Sequence, residues 1–578
     1  MDNWKNKLFY GDNLDVMRKH VDDNSIDLIY LDPPFKSDLN YNVLYKADGL
    51  SPDEAQWTAF KDTWFWDTAA ERIFSEELQN VPNPELVGYL NALEVSLQRT
   101  PMFAYLVNMA IRLLELHKKL KPTGSIYLHC DPNASHYLKV LMDFIFSPLN
   151  FRSEIVWRRS ASHNKLSRQY GPIHDTILFY SKTNRMYFEP GRTPYVTSYV
   201  NNHFTNSDKR GPYRTNEITG SGTRGGESGT EWRGYNPTSR GRHWAISGSL
   251  KELLPDYGAG MSLLQMLDAL AELGEIDFSS SGRPTYRQRL GKGVPYQDIW
   301  AYQPGTAGLL QGTNEAFDQD VKWLDNEEEK LGYPTQKPVG LLKRIILSSS
   351  KVGDLVLDPF AGCGTTIAAA QAMDRRWIGI DISPFAIELI RKQRLERIFT
   401  NLTDSQNYII DGLPTSMDGA KELAERDKKG FEIWAVSQLD GIPNEKKGAD
   451  RGIDGRIPFK PDGRTTKYAV ISVKGGKLKA DDIRSLNDVA KREKRSSLGF
   501  GVFVTLNKPT KGMRADAAAA GVEVINNQTY SRTQILTIED ILRGIKPNLP
   551  FIDTSAGYRK APLIENESQQ DLLDWENE

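Results

Sequence analysis

The stretch Leu355-Val356-Leu357-Asp358-Pro359-Phe360-Ala361-Gly362-Cys363-Gly364-Thr365-Thr366 decides the fold. Its apolar start reads as a buried strand, its glycines as a tight loop, and Thr365 onward as a helix. Glycines let the backbone turn sharply and approach a ligand, and a helix start offers unpaired N–H groups. Trp377-Ile378-Gly379-Ile380 reads as the next strand and ends at Asp381, 17 residues past Gly364 (381 − 364 = 17). Doubly wound sheets place an acid there for ribose hydroxyls. No Gly-Lys-Ser/Thr follows the loop, so it is not a P-loop. Asp358, just before the loop, is awkward for a pyrophosphate and suits a cationic ligand. A lone glycine loop is also a common turn, so its meaning depends on its companions.

Upstream, Ile26-Asp27-Leu28-Ile29-Tyr30-Leu31 is a mostly apolar run that stops at Asp32-Pro33-Pro34-Phe35. It resembles a buried strand of a parallel sheet, ended by residues that cannot donate to the ladder. Ligands bind at such strand ends. The tetrapeptide also reads as a plain stop signal. Its chemistry allows more. A planar exocyclic amine needs acceptors, and the Asp32 carboxylate and Pro33 carbonyl supply two. Phe35 can stack on a flipped base. Leu8-Phe9-Tyr10 predicts a strand, 101–119 a helix, 125–129 a strand, 136–146 a helix and 176–180 a strand. Strands alternating with helices imply an α/β parallel sheet.

These motifs, together with Tyr333-Pro334-Thr335-Gln336-Lys337-Pro338, resemble the amino-directed DNA methyltransferases, which act on adenine N6 or cytosine N4. The Asp-Pro-Pro-Phe motif precedes the glycine loop by 326 residues (358 − 32 = 326). That order is similar to the beta class, which includes type III modification subunits. The resemblance covers roughly residues 5–400. It implies a Rossmann-like, circularly permuted S-adenosylmethionine-dependent methyltransferase sheet. It implies that Asp32, Pro33, Pro34 and Phe35 hold the target base. It gives Asp12, Lys337, Asp358, Pro359, Phe360, Gly362, Gly364, Thr365 and Asp381 to the cofactor, with Asp381 on its ribose. Asp12 alone also reads as an Asx turn, and Lys337 as a surface lysine. Asp at the first motif position favours adenine, since cytosine-N4 members more often carry Ser there.

Composition bounds the remainder. With 578 residues, the length predicts about three or four domains. The 73 basic and 75 acidic residues give a net charge of −2, which excludes a globally basic nucleic-acid coat but not a local patch. Cys130 and Cys363 are the two cysteines, too few for a disulfide scaffold or Cys-rich zinc site. They fit a reducing compartment, and neither follows a proline as in cytosine-C5 enzymes. No apolar stretch reaches about 18 residues. The expected location is cytoplasmic, with no membrane partner.

Between 190 and 330, arginines interleave with aromatics, most densely at Trp232-Arg233-Gly234-Tyr235 and Gly241-Arg242-His243-Trp244. Arginine clamps phosphate or reads guanine, so Arg233, Arg242, Trp232 and Trp244 are candidate DNA contacts. Each tryptophan taken singly reads better as local packing. Farther on, Asp454 and Lys474, ending Tyr468-Ala469-Val470-Ile471-Ser472-Val473-Lys474, resemble the Mrr-like branch of the PD-(D/E)xK nucleases. That resemblance implies a second α/β, nuclease-like domain. Ser472 stands where its second acid belongs, so Mg²⁺ is expected only if Glu432 or Asp450 substitutes and the domain cleaves. No metal-ligand set is assigned.

The expected boundaries are 1–189 (catalytic half), 190–330 (target-recognition insert), 331–403 (cofactor half), 404–429 (linker), 430–550 (nuclease-like domain) and 551–578 (acidic tail). The expected function is site-specific adenine-N6 methylation of double-stranded DNA by base flipping, in a restriction–modification or related defence system. Cytosine-N4 methylation, a bifunctional methyltransferase–endonuclease and a non-catalytic DNA-binding subunit remain open. So do a restriction subunit as partner and a homodimer.

Overall fold

The computed structural model describes residues 4–34, 40–44, 56–61, 65–161, 170–303, 308–324, 329–331, 333, 335–399, 402, 406–444, 452–462, 464–479, 481–492 and 498–550. Phe35, Asp450 and the acidic tail lie outside them. The chain forms two compact units. One is built on residues up to 189, on 298–301 and on the chain from 320; the other on 190–297 and 302–319.

The first unit holds a nine-stranded sheet. Its strands are β1 (Asn6–Tyr10), β2 (Ile26–Leu31), β3 (Leu120–Cys130), β4 (Phe151–Arg158), β5 (His174–Ser181), β6 (Ile299–Trp300), β7 (Leu355–Asp358), β8 (Arg376–Asp381) and β9 (Tyr408–Asp411). They lie in the order β6-β4-β5-β3-β2-β7-β8-β1-β9. From β3 to β9 every pairing is parallel. The all-parallel expectation fails at the other end, where β5 runs antiparallel to both β3 and β4. An apolar run buried on both faces carries no signal of its direction. The 404–429 stretch is not a bare linker: it supplies β9 and a helix over Met417–Arg426.

Helix α1 (Asn13–His20) starts where the Asp12 carboxylate accepts from Leu14 N, and ends in Arg18, Lys19 and His20. Both features suit the helix dipole. Helix α2 (Pro101–Lys119) places Leu106, Met109, Leu113 and Leu116 at helical spacing, all fully buried. Each such side chain contributes about 1.5–3 kcal/mol. Helices α3 (Pro132–Phe146), α4 (Val339–Ser349), α5 (Thr365–Ala372) and α6 (Pro384–Leu389) complete the layers.

Helix α7 (Met417–Arg426) and helix α8 (Lys428–Gln438) lead into a second sheet. Its strands are β10 (Ile442–Pro443), β11 (Gly455–Phe459), β12 (Lys467–Lys474), β13 (Gly501–Thr505) and β14 (Thr533–Thr537), in that order. Phe431, Trp434 and Val436 of α8 join Leu8 and Tyr10 of β1 and Ile471 of β12 in one core. The second unit has its own four-stranded sheet, ordered Ile276–Phe278, Pro284–Arg289, Gly211–Glu217 and Asn206–Asp208. No described helix is long and apolar enough to cross a membrane.

Candidate active site

Strands β2 and β7 are neighbours, with Leu28 beside Val356 and Ile29 beside Leu357. The two motifs that follow them therefore share one edge of the sheet despite their separation in sequence. A cavity of about 620 Å³ opens there, lined by Asp32, Pro34, Asp358, Phe360, Asp381 and Lys337, among others. Asp12, Pro359, Gly362 and Thr365 line it too, so most of the expected cofactor residues converge. Pro33 is buried. Gly364 caps α5 in a left-handed conformation (φ +74°), and a Cβ there would stand 2.7 Å from Ile390 Cγ1. Only glycine meets both conditions without strain.

The electrostatics favour a cation. Asp358 is buried and accepts from Phe360 N (3.0 Å). Burial pushes its carboxyl up to about 7, with Asp32 and Asp381 adding to the shift. Asp381 accepts from Gly362 N and Ser383 N (2.8 Å each), yet burial raises it to about 6. Two carboxylates beside a cavity, Asp358 buried and Asp381 half-buried, favour a positive ligand over a phosphate. S-adenosylmethionine, with its sulfonium and ammonium, fits this donor set.

Asp12 does more than form an Asx turn. Its Oδ2 is 2.7 Å from the guanidinium of the buried Arg112, which also donates to Asn13 Oδ1 (2.7 Å) and Asn108 Oδ1 (3.2 Å). Asn13 Nδ2 in turn donates to the Pro359 carbonyl (2.8 Å), tying α1 to the glycine loop. Lys337 is buried, not a surface lysine, and its ammonium donates to Asp32 Oδ2.

A buried chain next to Asp32 escaped the sequence. Tyr30 Oη bonds His129 Nδ1 (2.9 Å), His129 Nε2 bonds Asp175 Oδ2 (3.2 Å), and Arg159 pairs with Asp175 (3.0 Å). Burial raises the Asp175 carboxyl, but the His129 bond and the charges of His129, Lys337 and Arg159 outweigh it and hold it low. Tyr30 lies two residues before Asp32, hence on the same strand face. That period was the one available signal.

The model of the N6/N4 DNA methylase family matches residues 26–392. The chain belongs to this family. It is 31% identical over 293 residues to the type II methyltransferase M.EcaI of Enterobacter cloacae, covering 50% of this chain and 57% of that protein. It is 28% identical over 379 residues to the type III restriction-modification enzyme StyLTI Mod subunit of Salmonella typhimurium, covering 64% and 50%. It is 55% identical over 69 residues to the DNA adenine methyltransferase YhdJ of Escherichia coli, covering 12% and 23%. The chain thus spans about half the length of these first two relatives.

Two of the expected DNA contacts need correction. Trp232 (5% exposed) and Trp244 (2%) sit in the core of the second unit with Ile218, Tyr235, Leu267 and Leu270. Their indole N–H groups go to Asp268 and to the Thr230 carbonyl. Buried rings with satisfied donors do not stack on bases. Arg233 is exposed but paired with Asp268 (2.8 Å), and Arg242 is half-buried between Glu217 and Thr219.

In the C-terminal domain Asp454 accepts from Val473 N (2.7 Å) and Ser472 Oγ (3.4 Å). Burial raises the carboxyls of Asp454 and Glu432, and Asp454 adds to the shift at Glu432. Among the described residues no group of three or more His, Cys, Asp or Glu side chains is placed to hold a metal. Asp454 and Glu432 are thus near enough to interact, and the Asp454 carboxylate is already bonded by protein donors.

Proposed function

We propose that this chain is a DNA methyltransferase that moves a methyl group from S-adenosylmethionine to adenine N6 in duplex DNA, within a restriction–modification system. The convergence of the Asp32 motif and the glycine loop on one acidic cavity carries the reading. S-adenosylmethionine supplies an activated methyl group. Asp358, Asp381, Asp12 and the Gly362 loop are the residues that would hold it. The Asp32 carboxylate and the Pro33 carbonyl accept the two N–H bonds of the flipped amine, which orients its lone pair. Lys337 holds Asp32 until the amine replaces it. Phe35 supplies the stacking face. Asp in the first motif position supports adenine, as does the likeness to a relative named an adenine methyltransferase.

The order of the motifs supports a permuted methyltransferase, and the second unit is the candidate target-recognition element. The Mrr-like resemblance, with Ser472 in place of an acid, supports a C-terminal domain that does not cleave DNA. The likeness to a Mod subunit supports a restriction subunit as partner. Transfer of labelled methyl from S-adenosylmethionine to plasmid DNA tests the reading, with Asp32→Ala as the blank. Equal label in both proteins, or none in the wild type, would sink it.

A further inference from the structure

Helix α8 begins beyond residue 392, where the family match ends. Its cap and first two turns nevertheless line the same cavity, through Asp427, Lys429, Gly430 and Ile433. Asp427 caps the helix by accepting from Gly430 N (2.8 Å), and it accepts from Tyr10 Oη (3.3 Å). Tyr10 is the register partner of Asp381 across β1 and β8, and Asp381 and Asp427 line the same cavity. The approach is close: a Cβ on Gly430 would lie 2.2 Å from Asp427 Oδ2 and 2.8 Å from Tyr10 Oη. Lys429 Nζ donates to the Asn444 carbonyl (2.6 Å) and stands 3.6 Å from Glu432. Ile433 packs with Tyr333, Cys363 and Phe385 on one side and with Ile442 and Tyr468 on the other.

We propose that the start of α8 is part of the cofactor site, with Lys429 and Asp427 holding the adenosyl moiety. The C-terminal domain is then a wall of the methyltransferase pocket and not a separate module. A ribose hydroxyl both gives and takes a hydrogen bond. The carboxylate oxygens of Asp381 and Asp427 offer acceptors, whereas Lys429 carries three N–H donors and complements them. The packing of α8 into the sheet core fixes this wall in place.

The inference rests on the methyltransferase reading, and one titration separates the two. S-adenosylhomocysteine is titrated by calorimetry into the full-length wild type, Lys429→Ala and Lys428→Ala. Lys428 is exposed and serves as the charge-matched control. The expected result is a Kd about tenfold higher for Lys429→Ala, the scale of one charge-assisted hydrogen bond, with Lys428→Ala unchanged. Hydrogen exchange in residues 427–438 should slow on binding in the wild type. Wild-type affinity in Lys429→Ala, with no protection of α8, overturns this proposal and leaves the methyltransferase reading standing. No binding to the wild type overturns both.

Discussion

Lowering the pH from about 8 to about 6 is expected to weaken S-adenosylmethionine binding about twentyfold. The magnitude comes from Asp358 and Asp381, which burial pushes up to about 7 and about 6. A cationic ligand is bound best when both are ionised. Near pH 8 almost every molecule meets that condition. Near pH 6 roughly nine tenths of Asp358 and half of Asp381 carry a proton, so only about one molecule in twenty does. The sign for folding is the opposite. Both values are raised by folding, so the stability these groups contribute is full below the ordinary carboxylate range. It is lost as the pH climbs through 6 to 7. Cofactor binding offsets that loss and releases protons. Calorimetry in two buffers of different ionisation enthalpy measures both affinity and proton release. Asp358→Asn should flatten the upper part of the profile. A pH-independent affinity, or proton uptake on binding, would refute the reasoning.

Three other substitutions probe the pocket and the second unit. Asp32→Ala should lower methyl transfer by roughly 10²–10³-fold, the scale of losing one preorganised polar group, while calorimetry still detects cofactor binding. Gly364→Ala combines a left-handed backbone with a Cβ 2.7 Å from Ile390. It should cost about 2–4 kcal/mol in urea unfolding. Trp244→Ala should cost about 3–5 kcal/mol of the second unit's stability, whereas Trp244→Phe should keep DNA affinity. Loss of DNA affinity in a stably folded Trp244→Phe would instead make that ring a base contact.

The elements that position the pocket were legible because their signals are local. An apolar run, a glycine pair and a helix start mark 355–372. Two prolines end β2. The four-residue β9 was hidden because Tyr408-Ile409-Ile410-Asp411 is too short for a period and lies in polar sequence. Arg112 and the Tyr30–His129–Asp175 chain were hidden for another reason. Their members sit on different strands or helices, and only sheet register and helix packing bring them together. The tryptophans at 232 and 244 were ambiguous because arginine-rich sequence around an aromatic describes a DNA face and a small core equally well. Burial decides between them, and burial is a tertiary property.

The proposed reaction is tested most directly by nucleoside mass spectrometry on DNA from a methylation-free host expressing the full chain. N6-methyladenine is expected with the wild type and is expected to be absent with Asp32→Ala. N4-methylcytosine alone, or no methylated base from a folded protein that binds its cofactor, would contradict it.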